Sequence, residues 1–146
     1  MGRVLGAAFV TGAVALAWII ALPAAPVRQP LSFPHVKHHA VACTVCHRGS
    51  AAGARAGIPD ASFCAKCHAA TPRAIAWVQV TRIPSHVMFS HRRHVAIARL
   101  ECVSCHGEMR DRIVPPSAAP VRLTMTTCLA CHRQEGAAED CAACHR

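Results

Sequence analysis

Tyrosine is missing from this chain, and the other aromatic residues are few: four Phe and two Trp make up 4% of 146 positions. These side chains usually dominate core burial, so their scarcity excludes a large core built from the chain's own side chains. Something else must fill the interior. The 53% hydrophobic content does not supply it, because Ala, Cys and one N-terminal apolar run account for much of that figure. Acidic residues are scarce too, seven against 14 Arg and two Lys, giving a formal charge of +9. The length allows one domain or two very small ones.

Unpaired cysteine is also lacking. The ten cysteines form five Cys-x-x-Cys pairs, Cys43/Cys46, Cys64/Cys67, Cys102/Cys105, Cys128/Cys131 and Cys141/Cys144. Each pair is followed at once by a histidine: His47, His68, His106, His132 and His145. A disulfide framework has no reason to place His after every pair, whereas Cys-x-x-Cys-His is the attachment pattern of c-type haem. On a helical turn, positions i, i+3 and i+4 share a face, so both thiols can reach the vinyl groups while the ring addresses the iron. Zinc is the alternative user of Cys-x-x-Cys. At this chain's own His content, five such histidines would arise by chance about twice in a million. Five covalent haems with five proximal His ligands are therefore expected.

The haems change the meaning of the charge. Alone, +9 would suggest nucleic acid or an anionic membrane as partner. Ten propionates, with about +1 for each ferric porphyrin core, leave roughly +4 oxidised and about −1 reduced. The Arg excess then reads as a set of propionate partners, since guanidinium pairs with carboxylate bidentately and stays charged. No nucleic acid partner is expected.

Only one long hydrophobic run exists, Val4 to Leu22. At about 1.5 Å per residue it almost spans a bilayer core of about 30 Å. It is long for a signal-peptide h-region of about 7 to 15 residues, and Ala-x-Ala is absent from Ala21-Leu22-Pro23-Ala24-Ala25-Pro26. A retained transmembrane helix is favoured over a cleaved signal within residues 1–25. Arg3 and the amino terminus place the start inside, with the haem domain on the periplasmic or outer face, where thioether attachment takes place.

An internal repeat organises the rest. LSFPHVKHHAVACTVCH and VMFSHRRHVAIARLECVSCH share Phe-x-His-x-x-His, a short spacer and Cys-x-x-Cys-His. Residues 26–70 then form a dihaem unit and 87–146 a trihaem unit, with 71–86 as an extended connector. Gly49 to Asp60 and Ile113 to Pro120, rich in Gly, Pro, Ala and Ser, read as loops. The expected fold is a multihaem cytochrome c with little regular secondary structure, short α-helices and loops wrapped around five haems.

Electron-transfer haems need a second axial ligand, whereas an open sixth position marks a haem that binds small molecules. Outside the motifs stand His35, His38, His39, His86, His91 and His94. The repeated segments nominate His35, His38, His91 and His94 as distal ligands; His39 reads as incidental. For the fifth haem the candidates are Met125, three residues before Cys128, then His86 and Met109, with His39 or no ligand behind them. Met125 is the first choice, since thioether is a recognised axial ligand that raises the potential.

The Phe-x-His-x-x-His segment before Cys-x-x-Cys-His resembles the class III cytochromes c, small trihaem and tetrahaem proteins with bis-His haems. That resemblance implies that His35 and His91 serve the haems of Cys43/Cys46 and Cys102/Cys105. His38 and His94 would serve those of Cys64/Cys67 and Cys128/Cys131, leaving Met125 for Cys141/Cys144. AGIPDASFCAKCH, WVQVTRIPSHVMFSHRRH and LTMTTCLACHR are more specifically similar to the pentahaem subunit of alternative complex III and related quinol-linked membrane complexes. The likeness runs from Leu31 to Arg146. It implies partners: quinol-oxidising or iron-sulfur subunits upstream and a further carrier downstream. This chain departs from the family in being compact and in the position of His86. The function expected is non-enzymatic electron transfer, against a rival multihaem reductase that would keep one haem open beside acid-base groups, and a metal-storage or sensing role.

Overall fold

The computed structural model describes residues 26–71 and 73–146. Most of the described part is irregular, as the Pro, Gly and Ala content of its connecting stretches dictates. All but one of the α-helices lie at the cysteine motifs. They are α1 (Cys43–Cys46), α2 (Gly49–Ala52), α3 (Ala61–Cys64), α4 (Val103–His106), α5 (Met125–Glu135) and α6 (Cys141–Cys144). A 3-10 turn covers His35–His38 and a π-helical turn covers Arg92–Ile97. The single β-type pairing among the described residues is an antiparallel bridge between Val87 and His145.

Local capping explains why such short helices form. Asp60 caps α3 by accepting from the Phe63 amide at 3.0 Å, and Asp140 caps α6 by accepting from the Ala143 amide at 2.9 Å. The longest helix, α5, starts from a reciprocal cap: Thr124 Oγ1 accepts from the Thr127 amide, and Thr127 Oγ1 accepts from the Thr124 amide at 2.7 Å. It ends at Gly136, whose φ of 64° is the left-handed conformation that glycine adopts without a Cβ penalty.

The expected loop over Gly49 to Asp60 is helical at its start. Ser50 Oγ donates to the His47 carbonyl at 2.7 Å, and the Gly49 amide donates to Ala56 at 2.9 Å. These two bonds fold the chain back on itself and close α2. The position admits only glycine, since a Cβ at Gly49 would collide with the Arg55 carbonyl oxygen and stand 2.9 Å from that of Ala56.

α2 packs on the π-helical turn of the second repeat. Backbone bonds seal the junction, with the Arg92 amide donating to Gly53 at 2.9 Å and the His91 amide to Ala54 at 3.2 Å. The connector is tied down by a side chain acting like a strand. Gln29 donates to the Val78 carbonyl at 2.8 Å and accepts from the Val78 amide at 3.1 Å.

Side chains build almost no core. Ala61, 3% exposed, is the one buried hydrophobic residue among those described, and no large side chain is fully buried. Leu31, Val45, Ile97 and Val103 all stand exposed. No helix among the described residues is long and apolar enough to cross a membrane. The span expected at Val4 to Leu22 lies outside the described residues.

Candidate haem-binding site

Each Cys-x-x-Cys-His motif is closed by one helical turn. The His amide donates to the first cysteine's carbonyl at 2.8 Å in His47 and His145, and at 3.0 Å in His68 and His106. His132 sits inside α5 with both its cysteines. None of the ten cysteines is paired in a disulfide. The i to i+4 bond is what brings two sulfurs and an imidazole to one face.

The two Phe-x-His-x-x-His segments have nearly the same geometry although one is a 3-10 turn and the other leads into a π turn. Phe33 stacks on His38 with ring centroids 4.6 Å apart and meets His35 edge-on at 4.9 Å. Phe89 stacks on His94 at 4.6 Å and meets His91 edge-on at 4.9 Å. In each segment one phenyl ring contacts both imidazoles and fixes their directions. Trp77 of the connector adds an edge contact on Phe33 at 6.3 Å.

Across the fold these rings face motif histidines. His38 lies 6.0 Å from His68, His91 lies 6.2 Å from His106, and His94 lies 6.3 Å from His132. His35 is close to His47: burial is the main cause depressing its pKa, and the His47 charge comes next, ahead of His38 and Arg112. His106 is likewise held low by burial first, then by His91 and His47. Both effects favour the neutral imidazole that a metal requires. His86 lies 5.5 Å from His145 between centroids, with 17° between planes.

Nitrogen tautomers follow from the hydrogen bonds. A carbonyl can only accept, so Nδ1 carries the proton where it meets Pro34 (His38), Gly57 (His47), Ala54 (His91), Ser90 (His94) or Ala138 (His132). Each of these rings keeps its Nε2 lone pair free, as a ligand held by its outer hydrogen bond does. Sequence reasoning missed these carbonyls, because a backbone oxygen carries no residue identity. The Nδ1 of His35 is buried without a partner. His39 is exposed, hydrogen-bonded to Val36 at 2.9 Å, and in no ring pair. Met125 stands 62% exposed at the first turn of α5.

Four of the five attachment sites lie near one another. Burial raises the Cys46 thiol pKa, with neighbouring Cys64, Cys43 and Cys67 adding to it. Cys102 is raised by burial and then by neighbouring Cys43. Cys105 is raised by burial and then by Cys131 and Cys128. Charge around the sites is one-sided: Arg133–Glu139, at 2.7 Å and exposed, is the one ion pair among the described residues. Arg48 and Lys66 lie over the Phe63 ring, at 4.8 and 4.9 Å.

The donors come in facing pairs, and among the described residues no group of three or more His, Cys, Asp or Glu converges as a metal cage would. Haem fits that donor set. Two imidazoles bound to opposite faces of one iron by bonds of about 2.0 Å have centroids roughly 6 Å apart, and the three pairs at 6.0 to 6.3 Å stand at that separation. No curated protein matches the chain. Residues 87–146, which hold the second Phe-x-His-x-x-His segment and three of the five motifs, match the family model for cytochrome c7 and related cytochrome c, which supports a multihaem cytochrome c domain in this part of the chain.

Proposed function

We propose that the chain carries five covalent c-type haems, three in the matched domain and two before it, and relays electrons among them on the outer face of the cytoplasmic membrane. The observation that carries this is the set of three imidazole pairs, each uniting a motif His with a His of a Phe-x-His-x-x-His segment. In this assignment each cysteine pair forms the thioethers. His47 and His35, His68 and His38, His106 and His91, and His132 and His94 would hold four of the haem irons. A bound haem supplies one-electron exchange between ferric and ferrous iron. The protein orients the imidazoles through Nδ1–H bonds to carbonyls and holds neighbouring sites together. The adjoining thiols support a relay running from Cys64/Cys67 to Cys43/Cys46, then Cys102/Cys105, then Cys128/Cys131.

The Arg residues are suited to binding the propionates, since the chain's own carboxylates engage so few of them. The N-terminal run Val4 to Leu22 would anchor the protein. The similarity to the pentahaem subunit of alternative complex III supports docking on quinol-oxidising or iron-sulfur subunits, with a soluble or membrane carrier downstream. A reductase would need an open iron; the facing pairs favour the relay.

The test is mass spectrometry and redox titration of protein from a host able to attach haem. Five haem additions, a low-spin ferric spectrum and reversible one-electron steps are expected. Four or fewer additions with free thiols, or a high-spin haem that turns over a small substrate, would overturn the proposal.

A further inference from the structure

Of the six histidines outside the motifs, His86 has the least telling sequence context. It belongs to neither Phe-x-His-x-x-His segment, and it lies one residue before the stretch matched to the cytochrome c7 family. Its setting in the fold is the opposite of incidental. The ring lies beside that of His145, 5.5 Å between centroids and with planes 17° from parallel.

Backbone pairing holds the two rings together from both sides. Val87 bridges antiparallel to His145, the Met88 amide donates to Cys144 at 2.7 Å, and the Arg146 amide donates to His86 at 3.2 Å. The end of the connector is thus zipped along the last Cys-x-x-Cys-His motif. The spacing is less than an ångström shorter than that of the three other facing pairs. Two of the other candidates are committed to the surface. Met125 points from an exposed first turn of α5, and His39 spends its Nδ1 on Val36 at the surface.

We infer that His86 is the distal ligand of the haem held by Cys141 and Cys144, opposite His145, and that Met125 ligates no haem. This rests on the five-haem proposal above. It makes all five haems bis-His. It also gives the connector a role beyond spacing: the last haem of the second unit takes its distal ligand from the segment that joins the two units, so the C-terminus and the connector move as one.

The experiment uses the full chain from a haem-attaching host, with the haem count of every variant fixed first by mass spectrometry. His86→Ala should retain five haems and convert one fifth of the ferric haem to high-spin in electron paramagnetic resonance, with added imidazole restoring it. His86→Met keeps a ligand in place should the alanine variant fail to accumulate; it should raise the potential of one haem of five and introduce the thioether-to-iron charge-transfer band. Met125→Leu should leave every haem low-spin. A high-spin haem in Met125→Leu, or unchanged spectra in both His86 variants, would overturn the assignment. Wild-type protein with four haems and free thiols at Cys141 and Cys144 would instead bring down the five-haem proposal, and this inference with it.

Discussion

The Nδ1–H of His91 donates to the carbonyl of Ala54 at 2.9 Å, across 37 residues of sequence. One hydrogen bond therefore ties an imidazole of the second repeat to the loop that follows the first haem motif. That loop in turn depends on Gly49. The Ala56 carbonyl receives the Gly49 amide at 2.9 Å, and the Gly53 carbonyl receives that of Arg92.

Gly49→Ala is therefore expected to act at a distance. The new methyl collides with the Arg55 carbonyl, so the 53–56 segment must shift and His91 loses its orienting acceptor. We expect a loss of about 1–3 kcal/mol, the usual cost of overpacking, and a spectral change at a haem whose motif lies more than fifty residues away. Thermal unfolding together with electron paramagnetic resonance checks it; an unchanged low-spin signal would show that the loop does not orient His91.

Asp60 connects α3 to pH. Hydrogen bonds from Ser62 and the Phe63 amide hold its carboxyl below the ordinary range, which is about 3.9. A group whose folded pKa is lowered adds stability above its unfolded value and loses it as pH falls through the folded one. The acid-unfolding curve of Asp60→Asn, which retains a capping oxygen, should accordingly be flatter below about pH 4 than that of the parent. Identical curves would dismiss the link.

At α5 the cap decides how firmly Cys128 is presented. Thr124→Ala removes the acceptor for the Thr127 amide and should cost about 1 kcal/mol, fraying the turn before the fourth motif. Amide hydrogen exchange should quicken at Thr127 and Cys128 and stay unchanged in α6.

Folding without haem should fail. With Ala61 the one buried hydrophobic residue among those described, the side chains bury too little apolar surface to offset the conformational entropy of ordering the chain. Protein made in a cytosol without attachment machinery should show no cooperative thermal transition and little near-ultraviolet circular dichroism. A sharp transition would mean that a side-chain core exists after all.

Several features can be read from the residues alone because they are local. Five Cys-x-x-Cys-His motifs and two Phe-x-His-x-x-His segments stand in the linear order. A helical turn at each motif follows from its i to i+4 bond, and scarce aromatics already imply a chain without a core of its own. What faces what is a different kind of fact. Whether His86 or Met125 stands beside His145, which carbonyl holds each imidazole, and that Gly49 to Ala52 coils against the second repeat depend on segments far apart in sequence. Backbone oxygens supply most of those contacts, and any residue can supply one, so only the folded path of the chain determines which are used.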